Sequence, residues 1–319
     1  MNRTVLITGA SGFVGRHLTI ALRAAGRDVR AAFRSVQPAT PGVDSVQVGS
    51  LGPDTDWTGA LRGIDTVVHL AARVHVMQDK VLDPLAEFRR VNVEGTLALA
   101  RQAAAAGVRR FVFVSSIKVN GETTSPQKPF TADDTPAPQD AYGISKYEAE
   151  TGLLALSAAT GMEVVIIRPV LVYGPGVGAN FLSMMRWLKK RVPLPLGAIR
   201  NRRSMVALDN LVDLIAVCMD HPAASGQVFL ASDGEDLSTP DLLRRTASAL
   251  GTQAFLVPVP AIFLKVASGL IGKGDVAQRL CGSLQADISK NRVLLGWTPP
   301  VSVDAGLVMA ARHLPDRGD

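Results

Sequence analysis

Apolar residues in the first half of the chain form short continuous runs, and longer amphipathic stretches separate these runs. The runs are rich in Val, Ile and Phe and lie at 4–8, 29–33, 45–48, 65–70, 110–115 and 163–168. Such runs are typical of strands that are buried on both faces of a sheet. Helical patterns lie between them, at about 13–25, 84–106 and 140–159, and Gly26 and Gly107 stand where two helices should end. The alternation predicts an α/β fold with a doubly wound parallel sheet and helices on both faces.

The pattern changes after the dipeptide Arg168-Pro169. Residues 172–203 are rich in Gly and Pro, which indicates loops. A strand near 204–207, a helix near 209–220 and a strand near 226–231 follow, and we expect this segment, 204–231, to return to the main sheet. We therefore predict a first domain over 1–171 and a smaller, mostly helical region over 172–319.

Charge and composition limit the possible partners. The chain has 319 residues, a net charge of +6 and 47% hydrophobic residues, a balance that supports a large buried core. The densest cationic cluster runs from Arg186 to Arg203, and Trp187 is the one aromatic residue inside it. A surface that binds nucleic acid usually interleaves aromatic and basic residues, so we expect no nucleic-acid partner and favour a small anionic ligand.

Cysteine usage and hydropathy point to a cytoplasmic protein. Cys218 and Cys281 lie far apart in apolar surroundings, which predicts reduced thiols and no metal site. A strand pattern lies at the start of the sequence, so we expect no secretory leader. The longest apolar stretch, 255–272, contains two prolines and Lys265. We interpret it as a loop followed by a buried helix and expect no stable membrane insertion.

A glycine-rich turn follows the first predicted strand. The segment TGASGFVG, residues 8–15, places Gly9, Gly12 and Gly15 three residues apart, with Ser11, Phe13 and Val14 between them. Glycines at these positions allow a tight turn and let backbone N–H groups and a helix N-terminus approach a pyrophosphate. After a buried strand, this motif predicts a Rossmann-type domain that binds a dinucleotide.

The end of the second strand bears on the choice of dinucleotide. Proteins that bind NAD usually carry an acid there for the ribose 2′-hydroxyl. This chain has Phe33 and Arg34 instead, with no acid nearby. A guanidinium suits a 2′-phosphate, so NADP(H) is favoured over NAD(H). The alternative is that Arg34 is only a solvated turn residue.

Tyr142 and Lys146 form a candidate pair for proton transfer. Their spacing of four residues places both side chains on one face of a helix. An ammonium beside a phenol favours the phenolate, so the sequence predicts a lowered pKa for Tyr142. Such pairs also occur by chance on solvated helices, so the pair alone does not establish a site.

Further motifs complete a resemblance to a known family. The fifth strand ends in Ser115 and Ser116, at the sheet edge where α/β folds bind ligands. Together with TGASGFVG, the chain contains HLAA at 69–72, VNVEGT around Asn92, SSIKVNG at 115–121, YGISK, RPVLVYGPG at 168–176 and LGW at 295–297. With these motifs the chain resembles the extended short-chain dehydrogenase/reductase family, the NAD-dependent epimerase/dehydratase group.

The resemblance implies roles for individual residues. Ser116 would hydrogen-bond the reacting sugar oxygen, Tyr142 would exchange the proton, and Lys146 would hold the nicotinamide ribose. The implied cofactor site also includes Leu70, Ala71, Ala72, Asn92, Pro169 and Val170. Family substrates are nucleotide diphosphate sugars, which Lys118, Asn120, Asn180 and Arg203 would contact. For Asn120 a turn, for Asn180 a helix cap and for Arg203 a surface ion pair remain alternative roles.

Departures from the family pattern narrow the activity. The dehydratases of the family carry an Asp-Glu pair after the catalytic hydroxyl, where this chain has Ile117 and Lys118. Isoleucine cannot transfer protons, so dehydration is not expected. Two activities remain, reduction of a UDP-4-keto-6-deoxy-N-acetylhexosamine at C4, which Arg34 favours, and 4-epimerisation of a UDP-hexose or UDP-N-acetylhexosamine. A non-catalytic sensor of the cofactor is a remote third possibility.

The resemblance also implies an oligomeric state. In the family, the helices that correspond to 84–106 and 140–159 form a four-helix bundle between two subunits. Both stretches are rich in alanine, which permits close contact between helices. We therefore expect a homodimer, although the same faces could pack on the sheet instead.

Overall fold

Strands and helices alternate along the chain in a computed structural model that describes residues 4–35, 42–74, 83–125, 128–264, 278 and 280–314. The strands are β1 (Thr4–Thr8), β2 (Val29–Phe33), β3 (Asp44–Gln47), β4 (Ile64–His69), β5 (Arg110–Val114), β6 (Glu163–Pro169), β7 (Leu171–Tyr173), β8 (Arg203–Ala207), β9 (Val228–Ala231) and β10 (Asp236–Leu237). The helices are α1 (Phe13–Ala24), α2 (Thr58–Leu61), α3 (Pro84–Phe88), α4 (Thr96–Ala105), α5 (Ala141–Thr160), α6 (Ala179–Lys189), α7 (Leu208–Asp220), α8 (Thr239–Ala249), α9 (Ser289–Leu295) and α10 (Val303–Arg312).

Seven strands form the main sheet in the order β3-β2-β1-β4-β5-β6-β9, and every neighbouring pair is parallel. The strand order reverses between β1 and β4, so the chain leaves their carboxyl ends in opposite directions and opens a crevice there. The predicted Rossmann-type, doubly wound α/β fold is confirmed. The fold thus presents the ends of β1, β4 and β5 at one edge, where the sequence motifs lie.

Each face of the sheet is covered by helices that bury an apolar stripe. Helices α1 and α7 contribute Leu18, Leu22, Leu211 and Ile215 to the core on one face. Helices α4 and α5 contribute Leu99, Ala103 and Leu153 to the other. Burying both faces explains why the strands are continuous apolar runs rather than alternating patterns. Strand β3 differs, since it is a largely exposed edge strand.

Two predicted elements differ in the structure. The helical pattern at 84–106 is interrupted, because a π-helical segment over Arg89–Gly95 separates α3 from α4. The segment 204–231 is divided between two sheets. Strand β9 joins the main sheet beside β6, as predicted, but β8 pairs with β7 and β10 in a separate three-stranded sheet. Strand β8 pairs with the short β7, which directly follows β6, and so does not join the main sheet.

The second region packs α6, α8 and α10 around the small sheet, with Tyr173, Phe181 and Leu307 in its core. The stretch 255–272 was predicted as a loop followed by a buried helix. Residues 255–260 are not helical and 261–264 form a helical turn, as predicted, but this turn exposes Ile262 and Phe263, so the predicted burial is wrong there. Residues 265–272 lie outside the described residues. Within the described residues, no helix has the length and apolarity to cross a membrane. The domain boundary near residue 171 stays a prediction.

Candidate active site

The glycine-rich turn forms a cradle that has no room for side chains. Gly9 has a φ of +66°, and a Cβ there would lie 2.8 Å from the backbone nitrogen of Ala71. A Cβ on Gly15 would lie 2.2 Å from the carbonyl oxygen of Gly9, and one on Gly12 would lie 3.1 Å from it. The turn therefore brings the backbone of β1, the residues after β4 and the start of α1 into close contact. This fits the close approach that a dinucleotide pyrophosphate requires.

Behind this cradle lies a network of buried hydrogen bonds that the sequence analysis did not predict. The Thr8 hydroxyl accepts hydrogen bonds from the backbone nitrogens of Leu70 and Ala71, both at 3.2 Å, and lies 2.7 Å from Nδ1 of His69. Nε2 of His69 lies 3.0 Å from the hydroxyl of Thr96. Burial lowers the pKa of His69 to about 3, so the ring is neutral. This hydrogen-bond network connects the HLAA segment to β1 and holds Leu70 and Ala71 against the glycine turn.

Ser115 and Ser116 lie at the carboxyl end of β5. The Ser115 hydroxyl is buried and has no hydrogen-bond partner among the described residues. Ser116 is half-buried and begins a short 3₁₀ turn, in which its Oγ accepts from the Lys118 backbone nitrogen at 3.2 Å. The Ser116 hydroxyl proton is not used in that contact. It remains able to donate to an oxygen of a ligand at the sheet edge.

Tyr142 lies in the first turn of α5, which Asp140 caps. The Asp140 carboxylate accepts from the Gly143 backbone nitrogen at 2.7 Å and also pairs with the Lys118 ammonium. A Cβ on Gly143 would lie 2.9 Å from the Lys118 carbonyl oxygen, so this glycine lets α5 approach the turn that begins at Ser116. The structure therefore brings Ser116, Lys118 and the start of α5 together.

The pKa of Tyr142 is raised to about 12, which is opposite to the predicted direction. Burial of the phenol is the main cause, and the negative charge of Asp140 adds to it. Lys146 does not reverse this, because its amine donates to the carbonyl oxygen of Val114 at 2.9 Å. The prediction of a lowered pKa is thus wrong. At neutral pH, the Tyr142 phenol is therefore protonated.

Lys146 is fully buried between α5 and the end of β5. Its Nζ lies 4.2 Å from the centre of the Phe113 ring. Burial lowers the pKa of Lys146 to about 7, and the charge of Glu150, one helical turn further along, partly opposes this. The amine can therefore exist with or without its extra proton near neutral pH. In both states it can donate a hydrogen bond to a hydroxyl of a ligand.

Asn92 lies in the π-helical segment and connects three parts of the site. Its side chain exchanges hydrogen bonds with the backbone of Arg73, at 2.8 and 3.0 Å, and donates to Ser145 Oγ at 3.0 Å. Ser145 in turn donates to the carbonyl oxygen of Tyr142. Contact of Asn92 with a cofactor stays a prediction. Segments of π-helix often occur at functional sites because they redirect one side chain.

A second network that sequence reasoning missed anchors α5 to β6. Arg168 and Glu150 form a buried ion pair with a shortest distance of 2.5 Å, and the two side chains are 4% and 3% exposed. Arg168 also donates to Oδ1 of Asn120 at 3.0 Å, and the Asn120 amide donates to the carbonyl oxygen of Thr131. Both polar atoms of Asn120 are thus used within the protein, which supports its interpretation as a turn residue. Pro169 and Val170 directly follow this anchor.

The remaining predicted residues lie further out. Arg34 is exposed directly after β2, and its side chain has no hydrogen bond or ion pair among the described residues. Asn180 is exposed in the first turn of α6. Arg203 begins β8 and donates to the carbonyl oxygen of Gly282 at 3.3 Å. Lys118 pairs with Asp140 and, at 3.4 Å, with Glu122. Contact of these four side chains with a ligand stays a prediction.

Comparisons with known proteins agree with this architecture. A model of the NAD dependent epimerase/dehydratase family matches residues 5–231. The chain is 48% identical over 314 residues to a UDP-glucose 4-epimerase of Vibrio cholerae, covering 98% of this chain and 95% of the relative. The fold is also similar to that of MoeE5 in complex with UDP-glucuronic acid and NAD. That similarity has a TM-score of 0.77 and 26% identity and covers 97% and 98% of the two chains.

A second similar structure is that of a short-chain dehydrogenase/reductase superfamily protein from Agrobacterium tumefaciens with bound NAD. It has a TM-score of 0.75 and 26% identity and covers 98% of this chain and 97% of that one. The relative and the two structures each match nearly the whole chain, and the stretch 5–231 that the family model matches contains the glycine turn, the serine pair and the tyrosine-lysine pair. The protein is therefore an enzyme of the extended short-chain dehydrogenase/reductase type and belongs to the NAD dependent epimerase/dehydratase family.

Proposed function

We propose that this enzyme reduces the C4 keto group of a nucleotide diphosphate sugar, specifically a UDP-4-keto-6-deoxy-N-acetylhexosamine, with NADPH as the reductant. The observation that carries the proposal is the grouping of Ser116, Tyr142 and Lys146 at the carboxyl end of β5, with Tyr142 in its protonated form at neutral pH. Reduction of a ketone consumes one hydride and one proton. A protonated phenol beside the bound ketone is the group that this reaction needs at its start.

Each residue of the site would have a separate role in the proposed reduction. When bound, a nicotinamide cofactor would supply the hydride for C4 of the sugar. Tyr142 gives its phenolic proton to the oxygen that becomes the alcohol, and Ser116 donates a hydrogen bond to the same oxygen. One well-placed donor of this kind contributes roughly 3 kcal/mol to transition-state stabilisation. Lys146 holds the nicotinamide ribose and, when protonated, stabilises the phenolate that the transfer leaves on Tyr142.

The turn after Ser116 supports reduction over dehydration. Ile117 is buried, at 5% exposure, and carries no group that could take up or release a proton. Lys118 is already paired with two carboxylates, those of Asp140 and Glu122. Elimination of water across two carbons needs an additional acid and base in the cleft. These two positions do not supply them.

Arg34 supports the choice of NADPH. It directly follows β2, where the ribose of the adenosine is bound in this fold, and Phe33 and Ser35 on either side carry no negative charge. An exposed guanidinium suits a 2′-phosphate, and an acid that would prefer the 2′-hydroxyl of NAD is missing there.

We expect a cytoplasmic enzyme, since the buried Cys218 thiol is free.

One observation favours a second candidate, 4-epimerisation. The relative from Vibrio cholerae, at 48% identity, is a UDP-glucose 4-epimerase. An epimerase would use Tyr142 first as a base and then as an acid, and it would return the hydride to the other face of the same sugar. This requires the phenolate at the start, so a bound oxidised cofactor would have to offset the raised pKa of Tyr142.

The two activities can be separated with a panel of sugars and cofactors. UDP-4-keto-6-deoxy-N-acetylhexosamines, UDP-N-acetylhexosamines and UDP-glucose are each incubated with NADPH or NADH, and both absorbance and products are followed. We expect oxidation of NADPH that depends on the keto sugar, and Arg34→Ala should weaken NADPH binding more than NADH binding. Formation of a C4 epimer without net change in the cofactor would establish the epimerase instead. Turnover of either kind excludes a non-catalytic cofactor sensor.

A further inference from the structure

The second region carries an apolar surface that the proposed chemistry does not use. Leu194 and Leu256 face each other across a parallel bridge, and both side chains join a small core with Leu188 and Leu243. Side chains alternate between the two sides of extended backbone. The neighbours of Leu256, Phe255 and Val257, therefore point outward, and they are 50% and 46% exposed.

Two further apolar side chains join this surface from the end of α6. Trp187 is 52% exposed and Val192 is 38% exposed, and the Val192 backbone nitrogen donates to the Trp187 carbonyl oxygen. The backbone of Leu194 exchanges hydrogen bonds with Phe255 and Val257, both at 2.8 Å, which fixes the two segments side by side. We call the surface formed by Trp187, Val192, Phe255 and Val257 the apolar patch.

Positive charge borders the apolar patch on the side of Trp187 and Val192. Residues 181–203 contain seven lysines and arginines and no acid, and residues 252–264 contain no charged residue. Within this stretch, Arg186, Lys189, Lys190 and Arg191 are exposed directly beside Trp187 and Val192. An exposed aromatic and aliphatic surface with a cationic border matches the surface of an anionic bilayer. Aromatic rings lie there at the headgroup level, and lysine and arginine are attracted to the lipid phosphates.

We propose that the apolar patch and its cationic border dock this enzyme reversibly onto an anionic phospholipid membrane. The charge argues against a second copy of the chain as the occupant, because two such borders would repel each other. Docking requires only shallow contact of side chains with the headgroup layer, and it agrees with the lack of a membrane-spanning helix in the described residues. The proposal goes beyond the proposed function and does not depend on which sugar is bound.

Trp187 provides a direct reporter for docking. The chain has three tryptophans, and the other two, Trp57 and Trp297, are 2% and 4% exposed. The purified enzyme is titrated with vesicles of phosphatidylcholine that contain phosphatidylglycerol, and with vesicles of phosphatidylcholine alone. We expect a blue shift of the Trp187 emission and co-sedimentation with the anionic vesicles only. Both effects should be lost at high salt, because screening weakens attraction to the surface.

Matched variants test whether this surface is responsible. Arg186→Glu/Lys190→Glu should weaken binding to anionic vesicles about tenfold or more, whereas Arg62→Glu/Arg292→Glu, with the same change in net charge elsewhere, should bind more tightly than the first variant. Phe255→Ser/Val257→Ser should weaken binding too, whereas Ile20→Ser/Val293→Ser, which replaces exposed apolar residues on α1 and α9, should not. Circular dichroism confirms that each variant is folded.

Three results would overturn the proposal. The first is no binding to anionic vesicles at low salt. The second is equal loss of binding in the test variants and in their matched controls, which would indicate a general effect of net charge. The third is an equal shift of Trp187 emission with a soluble acidic polypeptide, which would indicate an acidic protein as the partner.

Discussion

At the scale of single residues, the proposed reaction depends on Tyr142. We expect Tyr142→Phe to lower kcat by about 10²–10⁴, because it removes the proton donor and leaves the packing of the ring against Phe88 intact. Binding of the cofactor, measured separately by titration, should change little. Tyr147→Phe is the matched control, since Tyr147 lies on the same helix but is 38% exposed. Turnover of Tyr142→Phe close to that of the unmodified enzyme would remove Tyr142 from the mechanism.

Burial raises the pKa of Tyr142, and the negative charge of Asp140 raises it further. Asp140→Asn keeps a side-chain oxygen that can cap α5 but removes the charge. The pKa of Tyr142 should therefore fall from about 12 but stay above 10, because burial, its larger cause, remains. The shift is measured by NMR with tyrosine labelled at Cζ, with Tyr142→Phe to assign the signal. In Glu122→Gln, which removes a carboxylate that also pairs with Lys118, the pKa should stay near 12. An unchanged pKa in Asp140→Asn would contradict this account.

At the scale of elements, helix α5 contains Tyr142 and Lys146 of the candidate site. Two ion pairs connect it to its neighbours, the buried pair Arg168–Glu150 and the exposed pair Arg89–Glu148. Arg168→Met should lower the free energy of unfolding by about 3–5 kcal/mol, since it leaves the buried carboxylate of Glu150 without its partner. Arg89→Met removes the partner of Glu148 on the same helix, but this pair is exposed, at 47% and 31%, and solvent screens it, so the loss should be much smaller than in Arg168→Met. Urea unfolding measures both. Equal losses in the two variants would show that Arg168 does not anchor the helix.

The sequence predicted elements well where local pattern decides them. The limits of α1, α5 and the strands of the main sheet follow from apolar periodicity and from glycine at helix ends. The interruption of the 84–106 helix could not be predicted, because Asn92 is placed by hydrogen bonds to Arg73 and Ser145, which are distant in sequence. The separate pairing of β8 likewise depends on a partner more than thirty residues away.

In the candidate site too, features set by local sequence were predicted, and features set by contacts between distant residues were not. The glycine turn and the Tyr142–Lys146 pair are local motifs, and both were found in the sequence. The direction of the Tyr142 pKa shift was predicted wrongly, because burial and the position of Asp140 determine it. Asp140 itself could have been found as the helix cap before Tyr142, since aspartate is a preferred capping residue. The hydrogen bonds from Thr8 to His69 and from His69 to Thr96 span 61 and 27 positions, so this network could be found only in the structure.

At the scale of the whole molecule, we expect a homodimer that forms through α4 and α5. Tyr147 and Leu154 are each 38% exposed on α5, one on each side of Thr151, and an apolar surface of this kind suits a helix–helix interface. Sedimentation equilibrium at micromolar concentration should give twice the chain mass of 33.7 kDa. Leu154→Glu should give the monomer, whereas Val293→Glu should not change the mass. A monomer for the unmodified protein would refute the expected dimer.

The most direct test of the proposed reaction follows a deuterium atom. NADPH that carries deuterium at the transferable position of the nicotinamide C4 is incubated with a UDP-4-keto-6-deoxy-N-acetylhexosamine, and the product is examined by NMR. We predict one deuterium at C4 of the sugar for each NADP⁺ formed, and none with Tyr142→Phe on the same time scale. Product without deuterium at C4, or deuterium at another carbon, would contradict the account.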